Sequence, residues 1–72
     1  MNKIKFYRNN LGFSTYEIAK LTGLTPSYIS NLENDHRTNP SRRAMQKISD
    51  ALEKSVQAVF FPDDEKSDKE VS

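Results

Sequence analysis

Cysteine is absent from this sequence, and histidine occurs once, as His36. The lack of cysteine excludes a disulfide framework and a thiolate metal site, and one histidine cannot hold a metal ion by itself. No serine, threonine or tyrosine has a candidate base beside it, and no pair of carboxylates marks a pocket. The composition therefore argues against an enzyme and indicates neither a metal nor another cofactor.

Long apolar runs are also missing. No stretch approaches the roughly 20 apolar residues that a helix needs to span a bilayer. Residues 1–10 lack the uninterrupted apolar segment of a signal peptide, so we expect a cytoplasmic protein without membrane contact. The 72 residues correspond to one domain. A domain of this size buries only about 60% of its unfolded surface and cannot easily enclose a deep substrate pocket.

The net charge of +1 conceals an uneven distribution. Residues 1–60 contain nine Lys or Arg and five Asp or Glu, whereas residues 61–72 contain two and five. A basic folded part favours a polyanionic partner. Residues 62–72 contain one apolar side chain apart from the proline, which predicts a flexible, disordered acidic tail. We expect its charge to compete with a polyanion for the basic face.

The chain is organised around residues 14–33, where two short helices and a turn are predicted. Ser14 and Glu17 have the spacing of a capping box, which begins a helix from Thr15 to about Leu21. Gly23 follows where the turn requires a positive φ. The apolar residues expected to face inward are Ile18, Ala19 and Leu21.

The second helix of this unit is predicted from Pro26 to about Glu33. Thr25 is its N-cap, and Pro26 occupies the first helical position, where its missing N–H costs nothing. Ile29 and Leu32 form the apolar side. The other side carries Ser27, Tyr28, Ser30 and Asn31. Two helices of this length joined by a short glycine-containing turn are typical of a helix-turn-helix unit.

Three further helices complete an all-α, five-helix prediction. Their apolar periodicity places them at about residues 2–10, 42–53 and 56–61. Ser41 caps the fourth helix and Ser55 the fifth. The first and fourth helices are expected to turn two apolar sets inward, namely Ile4, Tyr7 and Leu11, and Met45, Ile48 and Leu52.

Several runs of the sequence carry a family resemblance. IKFYR from Ile4, then LGFS, EIAKLTGL, SYISNLEN and TNPS resemble the phage-repressor-like helix-turn-helix transcriptional regulators of the Xre/Cro type. The resemblance extends from about Ile4 to Phe60. It implies a compact, five-helix, lambda-repressor-like DNA-binding domain over residues 1–61, with the helix-turn-helix unit at about residues 14–33.

The resemblance also implies where DNA would bind. The second helix of the unit would enter the major groove of double-stranded DNA and contact bases through Pro26, Ser27 and Asn31, with Tyr28 beside them. Many family members carry longer polar residues at the position of Pro26, so this chain is expected to rely more on DNA shape. The alternative is that these side chains form a solvated helix face.

Phosphate contacts are expected from the start of the first unit helix and from the flanks of the second. The candidates are Ser14, Thr15, Asn34, Arg37, Asn39, Arg42 and Arg43. Arg42 and Arg43 stand in the first turn of a helix, where cations oppose the helix dipole. A bound phosphate would explain them, and a solvated basic turn is the alternative.

The family pattern pairs Arg8 with Glu33 as a structural ion pair, although Arg8 is also a candidate phosphate contact. The resemblance further implies a homodimer on a pseudo-palindromic operator, most simply acting as a repressor. The alternative is a protein-interaction module, antitoxin-like or regulator-binding, that has the same fold without specific DNA recognition. A protein partner is considered at Val59, Phe60 and Phe61, which otherwise belong to the core.

Overall fold

A computed structural model describes residues 2–36 and 39–62. These residues form five α-helices and no β-strand, which confirms the predicted fold class. The helices are α1, Ile4–Asn10; α2, Thr15–Thr22; α3, Pro26–Glu33; α4, Arg42–Ala51; and α5, Val56–Phe60. No helix in these two ranges is both long and apolar enough to cross a membrane. The acidic tail predicted to be disordered is residues 62–72, and all of it except Pro62 lies outside the described residues.

Helices α2 to α5 all begin at a hydroxyl side chain, as the sequence predicts. In each case the hydroxyl oxygen accepts a hydrogen bond from the backbone N–H three residues later. The pairs are Ser14 with Glu17 (3.2 Å), Thr25 with Tyr28 (3.1 Å), Ser41 with Ala44 (3.1 Å) and Ser55 with Ala58 (3.0 Å). Each such cap contributes about 1 kcal/mol and fixes where its helix starts.

The helix ends differ from the sequence expectation at three places. α1 begins at Ile4 and not at about residue 2, and α5 ends at Phe60, one residue early. α4 ends at Ala51 because Glu53 adopts a φ of 59°, in the left-handed region that stops a helix. Gly23, between α2 and α3, has the predicted positive φ, at 77°.

All five helices, together with Leu52 at the C-cap of α4, supply the buried core. α2 packs against α3 and α4, α5 packs against α4 and α1, and α1 also packs against α3. The core cluster consists of Ile4, Ile18, Ala19, Ile29, Leu32, Ile48, Leu52 and Val59. The α2–α3 pair therefore packs on α4 through α2 and on α1 through α3, and the side of α3 that carries Ser27 and Asn31 is exposed.

Two leucines expected to face inward lie on the surface. Leu21 is 60% exposed, because it lies about 60° beyond Ile18 around the helix, outside the arc that contacts α3 and α4. Thr22 is buried instead. Its hydroxyl donates to the carbonyl of Ile18 (2.8 Å) and accepts from the N–H of Leu24 (3.2 Å). Leu11, the C-cap of α1, is 40% exposed.

The three residues considered as a partner surface separate into different environments. Val59 is fully buried in the core, and its carbonyl accepts a hydrogen bond from the N–H of Lys3 (2.7 Å). The prediction that Val59 contacts a partner is therefore wrong. Phe60 is partly buried against the core, and Phe61 is 44% exposed.

Candidate nucleic-acid interface

The solvent side of α3 presents two polar side chains at i and i+4, Ser27 and Asn31. Both are exposed, and neither side chain makes a hydrogen bond within the described parts of the chain. The opposite side of the helix is buried through Ile29 and Leu32. Because residues four apart share one helix face, the hydroxyl and the carboxamide are presented together. They offer both donors and acceptors to an external partner.

Pro26 and Tyr28 occupy a different part of α3. Both are half-buried, and Tyr28 packs against the core cluster. The N–H of Tyr28 donates to Thr25 and so completes the cap of α3. Tyr28 therefore lies at the edge of the exposed face, where its ring supports the helix from the side.

The N-terminus of α2 has a complete capping box. The N–H of Ser14 donates to Glu17 Oε1 (2.8 Å), and the N–H of Glu17 donates to the Ser14 hydroxyl oxygen (3.2 Å). The Ser14 N–H, one of the expected phosphate donors, is thus already bonded. The hydroxyl hydrogen of Ser14 and the polar groups of Thr15 remain as the donors that the phosphate prediction can use.

The predicted contacts flanking α3 are mostly exposed. The carboxamide nitrogen of Asn34 donates to the carbonyl of Ser30 (2.9 Å), which leaves one of its two amide hydrogens for a partner. Asn39, Arg42 and Arg43 are exposed, and no acidic side chain in residues 2–36 or 39–62 pairs with either arginine. Arg37 lies outside the described residues, so its expected phosphate contact remains a prediction.

The C-terminal end of α3 is held by an ion pair with α1. Two guanidinium nitrogens of Arg8 donate to the carboxylate of Glu33, with Nη2 3.1 Å from Oε1. The third nitrogen donates to the carbonyl of Phe13 (2.8 Å). The side chains of Arg8 and Glu33 are only 12% and 5% exposed, so the guanidinium is occupied inside the domain.

A second tie at this end was not anticipated from the sequence. The carboxamide nitrogen of Asn2 donates to the carbonyl of Leu32 (2.7 Å), and its oxygen accepts from the N–H of Ile4 (3.1 Å). An asparagine two residues before a helix is a capping signal that sequence inspection can find. The contact with Leu32, thirty residues away, depends on the packing of α1 against α3.

No three His, Cys, Asp or Glu side chains of the described residues are close enough to bind a metal ion together. The features that point outward are hydrogen-bonding groups on α3, capped helix starts and unpaired arginines. Such an arrangement can bind a polar, negatively charged surface, and the pattern matches that of helix-turn-helix proteins.

A sequence model described as Helix-turn-helix matches residues 4–59 of this chain. Among curated proteins, the chain is similar to the HTH-type transcriptional regulator SinR of Bacillus subtilis (strain 168). The two are 38% identical over 68 residues, which cover 94% of this chain and 59% of SinR. The chain thus spans less than two thirds of the length of this curated relative.

Solved structures show the same likeness. A crystal structure of SinR, the master regulator for biofilm formation, in complex with DNA matches with a TM-score of 0.73 and 40% identity. That match covers 76% of this chain and 87% of the SinR chain. The SinR protein/SinI protein complex matches with a TM-score of 0.79 and 36% identity, covering 89% of this chain and 62% of the other.

Proposed function

This chain belongs to the helix-turn-helix family, and from that premise we propose that it is a sequence-specific, DNA-binding transcriptional regulator. The observation that carries the proposal is the exposed pair Ser27 and Asn31, whose hydrogen-bonding groups are unused on the outer face of α3. The match to a SinR structure in complex with DNA supports it further.

In the proposed complex, α3 lies in the major groove and α2 crosses the DNA backbone. The carboxamide of Asn31 bonds bidentately to an adenine, which provides roughly 1–3 kcal/mol of discrimination against other bases. The Ser27 hydroxyl donates or accepts and is less selective. Pro26 contacts a thymine methyl, and the half-buried Tyr28 contacts sugar and phosphate at the edge of the groove.

Phosphate contacts hold this orientation without reading sequence. Arg42 and Arg43 supply the charge, because both are exposed and have no acidic partner within the described ranges. Ser14, Thr15, Asn34 and Asn39 contribute neutral donors, and Arg37 is a further proposed phosphate contact from the sequence. Each neutralised phosphate releases counterions, so we expect the logarithm of the binding constant to fall by about 0.9 per phosphate per tenfold rise in salt.

One such domain contacts too few bases to select a site in a genome, so we propose that two copies bind a pseudo-palindrome with half-sites about one helical turn apart. A dimer bound over a promoter would act most simply as a repressor. A regulator of this kind works on bacterial or phage DNA in the cytoplasm. The matching family model is a helix-turn-helix model and the similar curated proteins are transcriptional regulators, so the enzyme alternative has no support there.

The test is selection of bound duplexes from a random pool by the wild-type chain, by Asn31→Ala and by Asn9→Ala. Asn9 is the matched control, because it is an exposed asparagine on α1, a helix that carries none of the proposed DNA contacts. We expect a pseudo-palindrome for the wild type and for Asn9→Ala. In Asn31→Ala the preference should relax at one position of each half-site.

A pool without any recovered motif, together with weak binding that is lost at moderate salt, would reject the specific-regulator proposal. The second candidate is then a protein-interaction module. The match to the SinR protein/SinI protein complex favours it, as do Phe60 and the exposed Phe61. Binding of a protein partner that Phe61→Ser weakens, without any DNA preference, would support this second candidate.

A further inference from the structure

Tyr16 is the large apolar side chain with the greatest exposure in residues 2–36 and 39–62, at 73%. It occupies the second position of α2, directly after Thr15. It belongs neither to the core cluster nor to the hydrophobic residues packed around it. The close ring pair found in the described structure joins Phe6 and Tyr7 and does not include it. The phenol ring is therefore left in solvent.

The position of Tyr16 on α2 is set by the residues that bury the opposite side. Ile18, Ala19 and Thr22 face the core, and with about 100° per residue Tyr16 points about 115° away from their mean direction. Lys20, which follows at i+4, is exposed on the same flank. Leu21 is exposed on the other flank, near the C-terminus of the helix.

We propose that Tyr16 is a further contact to the DNA backbone, with its ring against a deoxyribose and its hydroxyl donating to a phosphate oxygen. The inference rests on the proposed function, in which α2 crosses the backbone. Tyrosine combines an apolar body with a polar tip, which fits a surface of sugar carbons and phosphate oxygens. Ser14 and Thr15, expected phosphate contacts, directly precede it in the chain, and Lys20 adds a positive charge on the same flank.

The acidic residue next to Tyr16 does not compete for this role. The Glu17 carboxylate accepts the N–H of Ser14 (2.8 Å) and is thus held at the cap of α2. The ring of Tyr16 lies about 100° around the helix from it. The phosphate donor on this flank is then a neutral hydroxyl near a lysine, while the carboxylate is bonded at the exposed cap of α2.

Two consequences separate Tyr16 from the proposed base contacts and from the charged phosphate contacts. A backbone contact reads no sequence, so its loss weakens binding to every duplex alike and leaves the base preference unchanged. A neutral hydroxyl displaces no counterion, so its loss leaves the salt dependence of binding unchanged. By contrast, loss of the Asn31 contact should change the base preference, and loss of the Arg42 contact should change the salt dependence.

The experiment measures equilibrium binding of the whole chain to the selected duplex and to a shuffled duplex over a range of salt. The variants are Tyr16→Ala and Tyr16→Phe, with Leu21→Ala as control for an exposed apolar residue on the other flank. We expect Tyr16→Ala to weaken binding to both duplexes by about tenfold, the range of a lost hydrogen bond to a charged group. The salt slope should not change, Tyr16→Phe should recover part of the loss, and Leu21→Ala should stay within about twofold, since surface substitutions rarely cost more.

The inference is overturned if Tyr16→Ala binds both duplexes as tightly as the wild type, or if Leu21→Ala loses as much. Thermal melting by circular dichroism shows that each variant is folded before it is compared. A wild-type chain that binds both duplexes equally would contradict sequence-specific regulation, yet the effect of Tyr16→Ala would remain measurable on either duplex. A wild-type chain that binds neither duplex overturns both proposals.

Discussion

The two ends of α3 are built differently. At the C-terminal end, the Leu32 carbonyl accepts from Asn2 (2.7 Å), and Glu33 is paired with Arg8 inside the domain. At the N-terminal half, Ser27 is exposed, and the hydrogen bond that holds the helix start comes from Thr25, its own cap. One end of the helix is anchored to α1, whereas the exposed side carries unused hydrogen-bonding groups, on Ser27 near the start and on Asn31 beside the anchored end.

The difference shows how a short helix can be held rigidly while its exposed side chains stay accessible to a binding partner. An isolated helix of eight residues is marginal in water, since helix formation becomes favourable only beyond about 12–15 residues. The ties to Asn2 and Arg8 supply order from outside the helix. They engage backbone and carboxylate groups at one end, so that the side chains proposed to read bases need no partner within the domain.

The strongest way to break this arrangement is Glu33→Gln. The substitution keeps the shape of the side chain but removes its negative charge. The Arg8 side chain, which is only 12% exposed, then has no negative partner. Breaking such a pair costs about 3–5 kcal/mol. We expect the free energy of unfolding, measured by urea denaturation, to fall by that amount.

Glu53→Gln is the matched control for this change, because Glu53 is exposed and its side chain makes no ion pair within residues 2–36 and 39–62. The control should change the free energy of unfolding by less than about 0.5 kcal/mol. If Glu33→Gln costs no more than Glu53→Gln, the ion pair does not anchor α3, and the contrast between its two ends is lost.

A smaller effect is expected from Asn2→Ala, which removes the second tie. The Leu32 carbonyl loses its side-chain donor, and Ile4 loses the acceptor for its N–H. Loss of these partners should cost about 1–3 kcal/mol in the free energy of unfolding. Hydrogen exchange should also show faster opening of amides at the C-terminal end of α3. Asn10→Ala, an exposed change at the other end of α1, is the control, and an equal loss there would contradict the role of Asn2.

The smallest effect on stability is expected at Ser27, near the start of α3. Ser27→Ala removes an exposed hydroxyl that has no partner in the described structure, so the free energy of unfolding should change by less than about 0.5 kcal/mol. The base preference of the selected DNA site should nevertheless relax next to the position assigned to Asn31. A large loss of stability would show that this end, too, is used to hold the fold.

Local sequence signals were sufficient for much of this fold. The hydroxyl caps at Ser14, Thr25, Ser41 and Ser55 and the positive φ of Gly23 depend on neighbours within a few residues, and all were predicted. The exposure of Ser27 and Asn31 follows from the same periodicity, because Ile29 and Leu32 fix which side of α3 is buried.

The predictions that failed depend on how helices approach one another. Leu21 and Thr22 are adjacent on α2, and the approach of α3 and α4 decides that the threonine is buried while the leucine is exposed. Val59 belongs to the core because α5 packs against both α1 and α4. The spacing of apolar residues along the chain does not show from which side a neighbouring helix packs, since a short helix offers more than one plausible apolar side.

The amino-acid sequence was enough to predict the order of the helices, their capped starts, the turn at Gly23 and the polar face of α3, because these result from contacts within about one helical turn. Tertiary structure alone decided that Asn2 holds the Leu32 carbonyl, that Val59 is inaccessible, and that Tyr16 is left in solvent. These outcomes depend on how the helices pack against one another and not on neighbours along the chain. They became defined only when five helices shared one small core.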